Sequence, residues 1–301
     1  MKTRCIRVVA LIFAVVGGAT LLPCSGQAQN VPAPTREQAT SVPGPTLTQT
    51  TPDPMYSNTA FDYSASKLLA NYNGIDPFAV VKALVSRFPD KTEFETTDAY
   101  NIRIQKAQSP TLPLLGSLTL QSPMAFQVAV DGATLVYHAD QKQMQVNLDT
   151  RGNSGFLLRK TSRIDGAYEG HNNLGATTEV TKVYKSFTSV EMVNAKEFHF
   201  KWNIDMSEGI AMFNVSMDAA MAQLAKPNVR VLVVCQLSGE KIDLGGPYLA
   251  ANSDNVTPTI DRPIEESIGR LFLIARVNEL LIYNVATGEI YQTIKSKSFT
   301  H

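Results

Sequence analysis

Ser64-Ala65-Ser66-Lys67 places a serine one helical turn before a lysine, the spacing at which an amine can assist serine attack on an acyl group. That chemistry needs further parts. Lys160-Thr161-Ser162 is not a K-T-G motif, no S-D-N lies between, and the same S-x-x-K spacing recurs at Ser238-Gly239-Glu240-Lys241. Metal chemistry has less support, because His138, His171, His199 and His301 share no ligand spacing and Cys235 has no Cys or His near it in sequence. Inside an apolar run, Cys235 reads as a small buried hydrophobe, and His199 as a strand histidine held by a hydrogen bond. Asp205 with Glu208, and Asp261 with Glu265 and Glu266, read as solvated or helix-starting acids rather than an acid/base pair. G-x-x-x-x-G-K, H-E-x-x-H and G-x-S-x-G are all absent. No catalytic residue, metal site or cofactor is assigned, and the reading leans away from an enzyme.

Binding has one better candidate. Tyr168-Glu169-Gly170-His171-Asn172-Asn173-Leu174-Gly175 gathers a phenol, a carboxylate, an imidazole and two amides between glycines. Polar side chains on such a loop converge on small ligands. Tyr168, Glu169, His171 and Asn172 are therefore the candidate ligand-binding residues. The bland alternative is a Gly-rich turn whose asparagines bond their own backbone.

Export removes cytosolic chemistry from consideration. Lys2, Arg4 and Arg7 lead into the apolar run 8–16, and Gly26-Gln27-Ala28 supplies a small-x-small exit, the pattern of a secretory signal peptide over residues 1–28. The h-region is too short for a membrane span, and the mature chain holds no transmembrane segment. Cys24 leaves a second outcome open, a lipoprotein anchored at that cysteine. Pro23, where a small residue is expected, favours the periplasmic or secreted product. Loss of residues 1–28 takes away three bases and no acid, so 27 basic and 27 acidic residues become a net charge of −3. No basic excess remains to neutralise a phosphate backbone, which disfavours nucleic acid. Only Cys235 survives of three cysteines, so no internal disulfide forms and stability rests on packing.

The elements that must position any site follow from periodicity. Residues 29–60 carry six prolines among Thr, Gln, Ser and Asn, a composition that cannot offset ordering entropy, and read as a disordered tether. Residues 61–110 read as a helical part. Residues 64–71 have room for two turns. Asp76-Pro77 then caps a helix whose apolar stripe is Phe78, Val81, Leu84, Val85 and Phe88. A second helix runs to about Gln105, started by a capping box at Thr92–Glu95 or by Thr96 or Thr97, and completes a helical hairpin over 76–106.

From Met124 the period is two, and residues 111–301 read as a mainly antiparallel β body. Residues 135–138 and 144–148 flank a hairpin turn, and Thr177 to Lys185 is a half-exposed strand. Residues 198–204 pair with 210–215. Ser216 or Asp218 caps one further helix stopped by Pro227. Val229–Leu237 is nearly all apolar and predicts a central strand covered on both faces, followed by strands over 271–277, 280–285 and 289–294. The fold class is α+β.

One segment carries a resemblance. Lys91-Thr92-Glu93-Phe94-Glu95-Thr96-Thr97, with Tyr100 and Arg103, resembles a K-x-E-F-E-T-T-x-x-Y-x-x-R segment of uncharacterised secreted bacterial proteins. Residues 136–140 and 173–180 are similar to later segments of such proteins, so the resemblance spans most of 75–295. His138 stands where an aspartate is expected. The resemblance implies an envelope location and no known activity. The combined expectation is an exported bacterial envelope protein that acts as a non-enzymatic interaction module for an envelope protein or component. A periplasmic small-ligand-binding protein using residues 168–175 is the alternative, and a hydrolase with an unrecognised site comes third.

Overall fold

The computed structural model describes residues 55–149, 155–171, 175–198, 210–240 and 247–299. All of them fall in the unit Pro52–His301. The expected signal peptide, Cys24, tether residues 29–54, Asn172, residues 199–209 (with His199, Asp205 and Glu208) and Lys241 lie outside the described residues.

The fold is mixed α+β with mostly antiparallel sheets. It opens on extended chain. Met55 and Ser57 bond alongside residues 71–74, with Asn73 N–H donating to Met55 O (3.0 Å) and Ser57 N–H to Gly74 O (2.7 Å). The helical turns expected over 64–71 are absent. Leu68 N–H donates to Gly288 O at 2.8 Å and Asn71 N–H to Val285 O at 2.7 Å, so this stretch gives its donors to a distant turn rather than to itself. That contact demands glycine: at Gly288 (φ 77°) a Cβ would lie 1.9 Å from Leu68 O.

Helix α1 is Pro77–Arg87, capped by Asp76, whose carboxylate accepts from Phe78 N–H at 3.0 Å. Val80, Val81 and Leu84 are buried while Val85 is 55% exposed, so the apolar face is turned toward Val80 from the expected stripe. Helix α2 is Thr97–Ala107, and Thr96 is its cap, accepting from Ala99 N–H at 3.2 Å. Thr92 does not cap it. Glu95 instead takes both arms of Arg103, at 2.9 and 2.8 Å. No residue of α2 is buried, and side chains hold it: Arg87 donates to the carbonyls of Ala107 (2.6 Å), Ser109 (2.8 Å) and Leu112 (3.1 Å) at its C-terminal end.

After a short antiparallel pair, β1 (Pro113–Leu115) and β2 (Leu118–Thr119), come β3 (Met124–Gln127) and the hairpin of β4 (Ala133–His138) and β5 (Gln143–Asp149). The long pair β6 (Gly155–His171) and β7 (Thr177–Met192) follows, then β8 (Ile210–Ser216). Helix α3 (Ala219–Ala225) is capped by Asp218, which accepts from Met221 N–H at 2.8 Å. Strands β9 (Val229–Leu237), β10 (Leu249–Val256), β11 (Ile264–Asn284) and β12 (Ile290–Lys295) complete the chain.

Strands β4, β5 and β8 form a three-stranded sheet whose Met144, Val146 and Leu148 point inward. The larger sheet is organised by β11, which is one strand of 21 residues rather than the two expected. Its only irregularities are register shifts between Val277 and Glu279 and between Ile282 and Tyr283. Ala275 pairs with both Leu237 of β9 and Met192 of β7, so those strands flank it on opposite sides. Leu273 pairs with both Leu249 and Val190, and Glu279 with both Val234 and Lys295. β9 and β10 therefore run in line along one flank, and β7 (parallel to β11) and β12 along the other.

β9 is covered on both faces, as its unbroken apolar run predicts. Val231, Val233 and Cys235 join the core with the three-stranded sheet, whereas Leu232 and Val234 pack with Phe61, Leu68 and Tyr283. Among the described residues no helix is long and apolar enough to cross a membrane.

Candidate functional site

The outer half of the large sheet is a single layer. From Arg159 to Glu169 every residue of β6 is exposed, without the alternation that a core on one face would impose. The outer residues of β7 and β11 are mostly half-buried, and Ala251 to Asn255 of β10 are exposed. With no apolar layer over it among the described residues, this stretch is held by its ladder and by side-chain pairs across strands. Lys185 Nζ lies 2.7 Å from Glu266 Oε1, which also accepts from Arg262. The Lys185 hydrogen bond holds the Glu266 carboxyl below the usual glutamate range. On the opposite face Arg163 stacks over Tyr184 at 4.8 Å and Lys182 over Tyr168 at 5.0 Å.

The sequence-predicted binding residues sit at the end of this layer. Tyr168, Glu169 and His171 belong to β6 rather than to a loop, because pairing continues to His171 opposite Thr177. Gly170 is needed for that pairing, since a Cβ there would meet Val180 Cγ2 at 2.7 Å. Tyr168 donates to Glu265 Oε2 at 2.8 Å, which raises its phenol pKa. Glu169 stands opposite Glu179 on the other face, so period two separates the phenol from the carboxylate beside it. The structure brings Tyr168 to Glu265 and Lys182, and does not gather Tyr168, Glu169 and His171 into one cavity.

The candidate nucleophiles are occupied or inaccessible. Ser64 Oγ donates to Asp62 Oδ1 at 2.7 Å, and the backbone of Lys67 forms an isolated antiparallel β-bridge with Glu289. Burial raises the pKa of the Cys235 thiol far above the ordinary cysteine range. No group of three or more His, Cys, Asp and Glu that could hold a metal occurs among the described residues.

A groove of about 380 Å³ lies elsewhere, between β8 and β12. Met212, Phe213 and Asn214 form one wall with Gln145 behind them; Gln292, Ile294 and Lys295 form the other, and Glu197 and Lys297 complete the lining. The Gln145 amide is fixed, with its oxygen 2.8 Å from His138 Nε2 and its nitrogen donating to Asn147 Oδ1 at 2.6 Å. Glu197 is compensated: Asn194 (3.0 Å), Ser298 and Arg276 (2.7 Å) all donate to it, and the Ser298 and Asn194 bonds lead in holding its carboxyl below the usual range. Gln292 Oε1 is closed to solvent and has no hydrogen-bond partner among the described residues.

No protein-family model, curated protein or solved structure matches the chain. Sequence reasoning missed the groove because its residues come from four separate segments, and no local spacing joins Gln145 to Gln292. The one available signal was the amide-rich alternation Gln143, Gln145 and Asn147 on the polar face of a predicted strand.

Proposed function

We propose that this is an exported envelope protein, an interaction module without enzymatic activity, and that its outer sheet takes up an extended segment of a partner protein along β10. The single observation behind this reading is the contrast between the two edges of that sheet. β6 carries two register shifts, Leu157/Arg159 and Ile164/Gly166, and exposes Lys160 and Arg163, devices that keep an edge from pairing. β10 pairs with β11 through eight successive residues without a shift, and its exposed side chains Ala251, Asn252, Ser253, Asp254 and Asn255 are small, with a single charge. A flat edge of small residues accepts a strand through main-chain hydrogen bonds. The buried Cys235 thiol and the Ser64–Asp62 bond support the non-enzymatic part of the reading. The resemblance of residues 91–103 and the 1–28 pattern support export.

The test is photo-crosslinking in the native envelope from probes at Ser253 and Asn255, with Thr161 on β6 as the control. The expected result is a discrete protein adduct from the β10 positions and none from β6. No protein adduct from β10, or equal labelling from both edges, ends the proposal.

A further inference from the structure

The groove between β8 and β12 has no part in strand uptake at β10, and its chemistry singles out a ligand of its own. The geometry points to a binding site for a carboxylate that also carries an N–H donor, the chemistry shared by the C-terminus of a peptide and by an acidic side chain within one. Four observations converge on it.

The first is charge. Lys295 and Lys297 line the groove, and the only carboxylate among its described lining residues, Glu197, is already taken up by Arg276, Asn194 and Ser298. With Glu197 compensated by Arg276, and Lys295 shared with Glu279 across its strand pair, Lys297 leaves the groove with a positive excess that suits a carboxylate.

The second is the orphaned amide oxygen of Gln292. A buried acceptor without a donor is unfavourable, and a turn of the terminal amide toward a ligand N–H relieves it. The third is that one wall is a strand edge: β12 pairs with β11 on one side only among the described residues. Edge backbone groups beside Gln292 suit an amide-containing ligand better than a bare carboxylate. The fourth is size and lining. About 380 Å³ holds two or three residues, with Met212 and Ile294 as apolar support and Gln145 held rigid by His138 and Asn147.

Calorimetric titration of the full-length exported protein at low ionic strength tests this with three probes: N-acetyl-alanyl-alanine, N-acetyl-aspartyl-alaninamide and N-acetyl-alanyl-alaninamide. The expected result is binding of a carboxylate probe at least tenfold tighter than that of the neutral amide. Tighter binding of the first probe assigns the site to a peptide C-terminus, and tighter binding of the second to an internal acidic side chain. K295Q/K297Q lowers that affinity at least tenfold. Gln292→Leu lowers it severalfold without lowering the unfolding midpoint, since it removes an unsatisfied acceptor. Asn214→Ala, on an exposed position, is the variant that keeps the test sound if either of the others folds poorly. Carboxylate probes that bind no tighter than the amide, or affinities untouched by K295Q/K297Q, overturn the inference. Neither result bears on crosslinking at β10.

Discussion

The side-chain amide of Asn194 hydrogen-bonds both backbone groups of Val277, donating to its carbonyl at 2.8 Å and accepting from its N–H at 2.9 Å. It stands in for a strand. On that flank of β11 the partner β7 ends at Met192 opposite Ala275, and β12 begins its pairing with Lys295 opposite Glu279. Val193 N–H to Ala275 O (3.0 Å) and Ser296 N–H to Asn278 O (2.8 Å) close either side of the gap. A 21-residue strand can thus cross from a two-layered core to an unlayered outer sheet without leaving buried backbone groups unpaired.

Asn194→Ala leaves the N–H and C=O of a fully buried residue without partners, so we expect a loss of about 3 kcal/mol in unfolding free energy. Asn194→Asp also fails, because a carboxylate oxygen would then face the Val277 carbonyl. Denaturant unfolding with amide exchange over residues 275–279 checks both. A loss below about 1 kcal/mol for the alanine variant would mean that water replaces the amide.

Glu279 makes the opposite prediction. It is buried, and burial pushes its carboxyl pKa up, with Lys295 across the pair only partly opposing the shift. The folded state therefore holds the proton to higher pH than the unfolded chain does. Stability from this group is present below the ordinary glutamate range and falls as pH rises through the raised value. Glu279→Gln is expected to raise stability by about 1 kcal/mol at pH 8, with the gain vanishing below pH 4. Thermal unfolding across that range decides it; a gain that does not change with pH would locate the effect elsewhere.

What the sequence conveyed tracks how strongly each element is constrained by a core. β9 is continuous apolar because both faces are covered, β5 alternates because one face is, and Asp218 announces α3 as a cap. The outer parts of β6 and β10 carry no such signal: Thr161-Ser162-Arg163 and Asn252-Ser253-Asp254 are exposed, with no core on either side among the described residues, so the apolar period disappears. Residues 168–171 looked like a loop for that reason. Asn278 shows the converse error, a break read where the strand continues, with a bulge against β9 on one flank and Asn194 standing in for a partner strand on the other.

Arg103 explains much of the segment Lys91–Arg103 in physical terms. It grips Glu95, donates to Pro89 O (3.1 Å) and Asp90 O (3.3 Å), and lies 5.1 Å over the Tyr100 ring. Lys91 Nζ meets Thr97 Oγ1 at 3.0 Å. Arg103→Lys keeps the charge and loses the fork, so amide exchange across α2 should quicken severalfold. Global stability should hardly change, since no α2 side chain is buried. A large global loss would show that α2 supports the core after all.

Cys235 should be silent to an alkylating reagent while the protein is folded, because its thiol is buried and held protonated. Labelling followed by mass spectrometry is expected to proceed only at the rate of unfolding. Modification within minutes under native conditions would place an opening motion at the centre of β9.

The far end of the outer sheet contains a pair that works against it. Glu169 and Glu179 face each other across β6 and β7, both exposed, and like charges directly opposite destabilise a ladder. Glu179→Lys converts the pair to an attractive one and should stabilise the strand end by about 0.5 kcal/mol, seen as slower amide exchange over 167–171 and 177–181. High salt should shrink the gain, because exposed charges are screened within about 10 Å at 0.1 M. Adding Glu169→Lys restores a like-charged pair and should cancel it. If the single variant instead speeds exchange, the Glu169–Glu179 pairing is not the interaction that limits the end of this sheet.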